Sequence, residues 1–417
     1  MKNGKKHAVE KTSYLVCFIQ IFTFILILFT ISCASTGSGL ENLSQEELLL
    51  KQTDVLIKLR KYESAFRLIS GYEGPNQYIH AKKIEIVSNY SIESMMHKMF
   101  ALKDLADNEN LMELRKNGGS FVMFNFDPEI YGPVIDKHHE YGYLSKTLAD
   151  YYYDAYYRFR DDWLHSAEET LQLASKYYAI AREDGISDYM TLANESHYYL
   201  IAGKNEEALR LLDESVKLNP NYATNHYNRA FAYSALNRKK EAVQEAVLAY
   251  KLYDKPDLKY DAIVMAAKVA MESGMLEQAE ELLLTTVIEF PKASDPVYYL
   301  VYLYLKEKKV DKASELALET FKGFPAYPSV ANMLLDAYTK AGYPEFYLQL
   351  ASEMEKLYKD NEILGNLAYH KCLAYIKTGD RKTAKKEILL AKKYFSAVYS
   401  KDHQVFAEID KILKSLN

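Results

Sequence analysis

Cysteine is scarce in this chain, with three in 417 residues. Cys17 lies inside an apolar N-terminal stretch and Cys33 closes it, so Cys372 stands alone in the remaining sequence. A lone thiol excludes an internal disulfide there, and stability must come from packing. Positive charge is scarce as well. The chain has 52 Lys and Arg against 57 Asp and Glu, a formal charge of −5, with the basic residues dispersed among acidic ones. That distribution lacks the electropositive footprint of a nucleic-acid binder. Also missing are a P-loop, a dinucleotide-binding glycine motif, a nucleophile elbow and a zinc-protease helix. Without them no enzyme class presents itself, and neither a catalytic residue, a cofactor nor a metal is expected. His138 and His139 are adjacent and would diverge by about 100° on a helix, too far to share one metal ion. Beyond residue 31 there is no second long apolar run.

What is present begins with a charged start. Lys2, Lys5, Lys6 and Lys11 face a single Glu10, and residues 14–31 are mostly apolar, the layout of a secretory signal. The run also reaches the length at which a membrane-spanning helix becomes a candidate. Gln20, Thr23 and Thr30 weaken the spanning case, and Ala34 to Gly39, all small and polar or flexible, has the composition of a tether.

Thr30-Ile31-Ser32-Cys33 resembles the lipobox of bacterial lipoproteins. The resemblance implies that the segment before Cys33 is removed and that Cys33 carries acyl chains such as palmitate. The alternative is an uncleaved anchor. Either outcome places the body outside the cytoplasm, anchored in a bacterial cell membrane or outer membrane. The expected division is a signal over 1–32 and a lipidated Cys33 with its tether over 33–43. Removing residues 1–32 leaves 48 basic against 56 acidic residues, a net charge of −8.

The body is periodic. Ala208 and Ala242 stand 34 residues apart, as do Tyr199 and Tyr233, and Ala279 and Ala313. Around Ala208 the stretch from Tyr199 through Gly203 ends at Pro220, and Pro291 and Pro325 close later stretches in the same way. Ala208, Leu211, Leu212, Val216 and Leu218 recur at helical spacing, with Glu206, Glu207, Arg210 and Lys217 outside the stripe. Gly203 suits a left-handed turn between two helices, and Pro220 cannot continue the second. The pattern resembles the tetratricopeptide repeat, a pair of antiparallel helices with small residues where they cross. This predicts an all-α, tetratricopeptide-type α-solenoid over 189–399. Its six units begin near Tyr189, Ala223, Tyr260, Ser294, Pro328 and Gly365, and residues 400–417 form a capping helix. The aromatic position falls on Tyr199, Tyr233, Tyr304, Tyr338 and Tyr375, with Ala270 in the third unit and Tyr347 where the fifth should have alanine. Cys372 falls on a small crossing position, as a buried hydrophobe.

Upstream, residues 44–77 and 144–188 read as further helical hairpins, separated by an irregular insertion over 78–143 that starts helical and becomes a long loop or short strand. The second hairpin is rich in tyrosine. On a helix Tyr152, Tyr156 and Phe159 share one face, and Tyr153 and Tyr157 an adjacent one, so one face is either core or a candidate aromatic pocket with Trp163.

The repeat resemblance also implies a groove lined by first helices. Its positions fall on His197, Tyr227, Phe231, Lys268, Tyr298, Tyr302, Asn332, Asp336 and Tyr369. An aromatic groove with scattered charge suits a protein segment. The expected function is a membrane-anchored extracytoplasmic scaffold for protein–protein interaction in the cell envelope. The alternative is a transporter-associated lipoprotein that holds a small molecule in the Tyr-rich pocket.

Overall fold

The computed structural model describes residues 43–138 and 140–416. The expected signal, Cys33, the expected tether up to residue 42 and His139 lie outside the described residues. Among the described residues no helix is long and apolar enough to cross a membrane. The chain divides into two compact units at Ser187 and Asp188.

The first unit opens with α1 (Gln45–Lys58) and α2 (Tyr62–Ser70). Ser44 and Glu47 cap α1 reciprocally, each side chain bonding the other's backbone N–H. On α2 the spacing of Tyr62, Ala65, Phe66 and Ile69 puts all four on one buried face. After α3 (Gln77–Tyr90) come β1 (Ser94–Met95), β2 (Met99–Leu102), α4 (Leu111–Asn117) and β3 (Val122–Asn125). The strands form an antiparallel sheet with β2 in the centre, and Phe100 lies opposite Phe124. The insertion is therefore more regular than its composition indicates. The pairing of β2 with β3 spans a helix, which local sequence pattern does not reveal. A 3-10 turn (Pro128–Tyr131) and α5 (Gly132–Ile135) lead to the Tyr-rich hairpin, α6 (Gly142–Phe159) and α7 (Ala167–Glu183).

The second unit consists of six helix pairs: α8 (Tyr189–Ile201) with α9 (Asn205–Leu218), α10 (Ala223–Ala235) with α11 (Lys239–Leu252), α12 (Pro256–Glu272) with α13 (Leu276–Glu289), α14 (Asp295–Lys306) with α15 (Val310–Gly323), α16 (Pro328–Ala341) with α17 (Pro344–Leu357), and α18 (Asn361–Thr378) with α19 (Arg381–Phe395). The closing helix α20 (Gln404–Leu416) lays Ile409 against Ile388 and Phe395. The third and sixth units, each preceded by three residues more than the 34-residue step requires, start about one turn earlier than the spacing predicts, because those residues lengthen the first helix to 17 and 18 residues.

Each pair turns over at one left-handed residue, placed five before the crossing position of the second helix. Gly203, Gly274, Gly342 and Gly379 fill it in four units, with φ between 71° and 91°. Asn237 and Lys308 fill it in the other two, at φ 60° and 61°, although a Cβ makes that conformation costlier. In the first five turns the next backbone N–H donates to the carbonyl of the residue at the predicted aromatic position, at 2.8–2.9 Å: Tyr199, Tyr233, Ala270, Tyr304 and Tyr338. That bond satisfies a carbonyl which the ending helix leaves open. The crossing residues Ala208, Ala242, Ala279, Ala313 and Ala384 are fully buried. Tyr347, the bulky exception, is fully buried too, packed edge-on against Tyr338 at 6.1 Å with its hydroxyl donating to the Ala331 carbonyl. Cys372 is buried, and burial pushes its thiol up to about 11, which keeps it protonated and inert near neutral pH.

Candidate functional site

The Tyr-rich helix α6 packs into its own unit. Tyr151, which the sequence pattern does not single out, is fully buried, and Tyr152, Tyr156 and Trp163 are nearly so. Tyr153 is half-buried and Tyr157 is exposed. The reason lies in the turn joining β1 and β2. Met96 and His97 both adopt left-handed conformations, at φ 48° and 56°, where Asn-Gly would be cheap. The tyrosine-rich hairpin holds that turn. Trp163 Nε1 donates to the Met96 carbonyl at 2.8 Å, and the Tyr151 hydroxyl donates to the His97 carbonyl at 3.3 Å. The His97 imidazole stacks on the Tyr151 ring at 4.7 Å.

Nearby, the Glu129 carboxylate accepts from Lys98 Nζ at 2.5 Å and from the Tyr152 hydroxyl at 3.2 Å, and it pairs with His165 Nε2 at 2.6 Å. Burial alone would raise its pKa, but Lys98 and His165 outweigh burial and hold the carboxyl below its ordinary value. The hydroxyl of Tyr152 is thus committed to a protein partner. Tyr153 and Tyr157 join hydroxyls at 3.3 Å, and Arg160 lies over the Tyr156 and Tyr157 rings. Among the described residues no group of three His, Cys, Asp or Glu side chains is arranged to hold a metal ion.

The predicted groove residues separate into clusters. His197 is half-buried on α8. Tyr227 is half-buried on α10 with its ring edge-on to Tyr253, and Phe231, one turn on, is about half exposed. Lys268, Tyr298 and Tyr302 come together from α12 and α14 around a pocket of about 480 Å³. Met271, Leu276 and Leu303 supply apolar lining. Asn332 and Tyr369, from α16 and α18, meet at a second pocket of about 340 Å³.

The larger pocket pairs each lysine with a ring. Lys268 lies 5.3 Å from the centroid of Tyr299, Lys306 lies 5.5 Å from Tyr302, and Lys340 lies 5.7 Å from Tyr298. Such contacts contribute about 0.5–1 kcal/mol at exposed sites. Asp336 neutralises Lys340 at 3.0 Å, and Lys239 neutralises Glu272 at 3.1 Å. Lys268 and Lys306 have no carboxylate within ion-pair distance among the described residues. The pocket thus presents two uncompensated cations beside an aromatic and apolar lining, within a body whose net charge is negative. Sequence reading missed Lys306 and Lys340. Each lies four residues beyond a predicted groove position, Tyr302 and Asp336, on the same helix face, and that spacing was the available signal.

No protein-family description matches the sequence, and no curated protein matches it significantly. Among solved structures, a tetratricopeptide repeat protein from Parabacteroides merdae is similar at 16% identity over 69% of this chain and 98% of that one, with a TM-score of 0.35. YrrB, described as a TPR protein with an unusual peptide-binding site, is similar at 15% identity over 57% and 99%, with a TM-score of 0.31. The pilF protein of Pseudomonas aeruginosa is similar at 20% identity over 53% and 96%, with a TM-score of 0.32. The assignment of an all-α, tetratricopeptide-type solenoid rests on this chain's own paired helices, small crossing residues and repeated left-handed turn.

Proposed function

We propose that the chain is an extracytoplasmic repeat scaffold that binds a protein partner through the first helices of its third to fifth units and is held at the cell envelope by an acylated Cys33. The observation that carries the binding half is the pocket between α12, α14 and α16, where Lys268 and Lys306 stand unpaired over tyrosine rings. That combination fits a segment carrying carboxylates next to an apolar side chain, because the rings and leucines bury the apolar part while the ammonium groups meet the acid. The anchoring half rests on the sequence around Cys33 alone. The likeness to a described peptide-binding repeat protein is consistent with the reading and adds no weight to it.

The binding half is tested by placing a photoreactive amino acid at Tyr302 in cells and crosslinking in the intact envelope. An adduct with one dominant protein is expected at Tyr302 and not at Ile288, an exposed residue on the second helix α13. Equal labelling at both positions, or no protein adduct at Tyr302, would overturn the reading.

The anchoring half has its own test, since Cys33→Ala removes the acceptor thiol. Palmitate labelling should disappear, because no acceptor thiol is left at that position. Undiminished labelling of the variant would show that Cys33 is not the acylated residue.

A further inference from the structure

The smaller pocket, formed by α16, α18, α19 and α20, has a different chemistry. Asn366 lines it and is only 6% exposed, yet its Nδ2 has no hydrogen-bond partner. A buried polar group left unpaired destabilises the fold, and such groups are normally satisfied. One helical turn on, His370 lines the same pocket and is 4% exposed. Its Nδ1 donates to the backbone carbonyl of Asn366 at 2.7 Å, which leaves Nε2 as the acceptor nitrogen. Burial lowers the pKa of this imidazole, so it stays neutral. The rest of the lining mixes three rings, Tyr369, Phe395 and Tyr399, with polar side chains that include Asn332 and Gln404. Glu408 is its one Asp, Glu, Lys or Arg.

We infer that this pocket binds a neutral carboxamide. Its carbonyl accepts from Asn366 Nδ2, its N–H donates to His370 Nε2, and its flanking carbons rest on the rings. A buried unpaired donor and an acceptor without a protein partner, one turn apart on one helix, call for a ligand that offers both an acceptor and a donor, as an amide does. They match neither an acid, which Glu408 repels, nor a hydrocarbon, which leaves both groups unpaired. The same chemistry can come from a glutamine side chain or from a main-chain peptide group. The site is separate from the lysine pocket, so either can fail without the other.

The test titrates the full-length protein, labelled with ¹⁵N in the histidine rings, with three blocked amino acids: acetyl-glutamine methylamide, acetyl-glycine methylamide and acetyl-glutamate methylamide. The His370 Nε2 resonance should move upfield on a saturable curve with the glutamine probe; a side-chain amide site should not respond to the glutamate probe at neutral pH, whereas a main-chain amide site should respond to all three. A response to the glycine probe of equal affinity assigns the site to main-chain amides, and a weaker one to side chains. Absence of a saturable shift with either neutral probe overturns the proposal.

Asn366→Leu separates function from structure. Affinity should fall about ten-fold, the worth of one good hydrogen bond, while the melting temperature stays level or rises because a buried orphan has been removed. Unchanged affinity with a lower melting temperature would instead make Asn366 structural and overturn the proposal. Should that variant not fold, the wild-type titration decides the matter alone. Lys268→Glu with Lys306→Glu should leave the titration unchanged.

Discussion

Phe321→Ala is expected to lower the unfolding free energy by about 3–5 kcal/mol, the usual cost of emptying a large aromatic from a closed core. Phe321 is fully buried on α15, with the Tyr358 ring edge-on at 5.8 Å. It belongs to one continuous apolar cluster running from Leu200 to Ala374. Repeat units contact only their neighbours, so little elsewhere can collapse to refill the space. The loss is a large share of the 5–15 kcal/mol that stabilises a typical domain. Urea unfolding followed by far-UV circular dichroism measures it as a shift in midpoint. Three residues along, Phe324 is about half exposed, so Phe324→Ala should change stability by only about 0.5 kcal/mol. If the two variants unfold at the same midpoint, the stack is not closed at α15.

Reversing both unpaired lysines should remove partner binding. Lys268→Glu with Lys306→Glu turns two attractive charges into two repulsive ones at the mouth of an aromatic pocket. Like charges brought together across an interface cost several kcal/mol, which corresponds to a weakening of about 100-fold or more. Both lysines are exposed and have no ion-pair partner to lose, so thermal stability should stay within about 0.5 kcal/mol of the wild type. Lys268→Gln with Lys306→Gln should fall between, and its binding should depend less on salt. The readout is the yield of the Tyr302 crosslink with the partner identified there. Full crosslinking by the charge-reversed protein would show that the pocket does not recognise an acidic segment.

The repeat body was legible because its information is local. A small residue recurring at steps of 34 or 37 positions in every unit but the fifth, an apolar stripe at helical spacing and a glycine five residues before most crossing positions each act within one helix pair. Even Asn237 and Lys308 fit the same turn once the neighbouring glycines mark it. The insertion was less legible because its order comes from distant partners. Phe100 meets Phe124 across a helix, and Tyr151 and Trp163 hold the Met96–His97 turn by bonding its carbonyls. The tyrosine run announced large rings on several helix faces without saying which were covered. Tyr151, hidden among equivalent neighbours, proved the most buried.

The sites divide in the same way. The positions Lys268, Tyr298, Tyr302, Asn332 and Tyr369 could be named from the repeat resemblance, because position within such a repeat implies which side of a helix a residue occupies. By itself the sequence determined the helix pairing, the turns and the cap, since these depend on side-chain size and backbone freedom a few residues apart. It also determined the low positive charge and the candidate anchor at Cys33. Only the tertiary structure decided that Lys340 is cancelled by Asp336 while Lys268 and Lys306 are not, and that Asn366 is buried with its amide unpaired. Charge compensation and hydrogen-bond satisfaction depend on which side chains from separate helices come within about 3–4 Å of one another, and periodicity alone does not carry that distance.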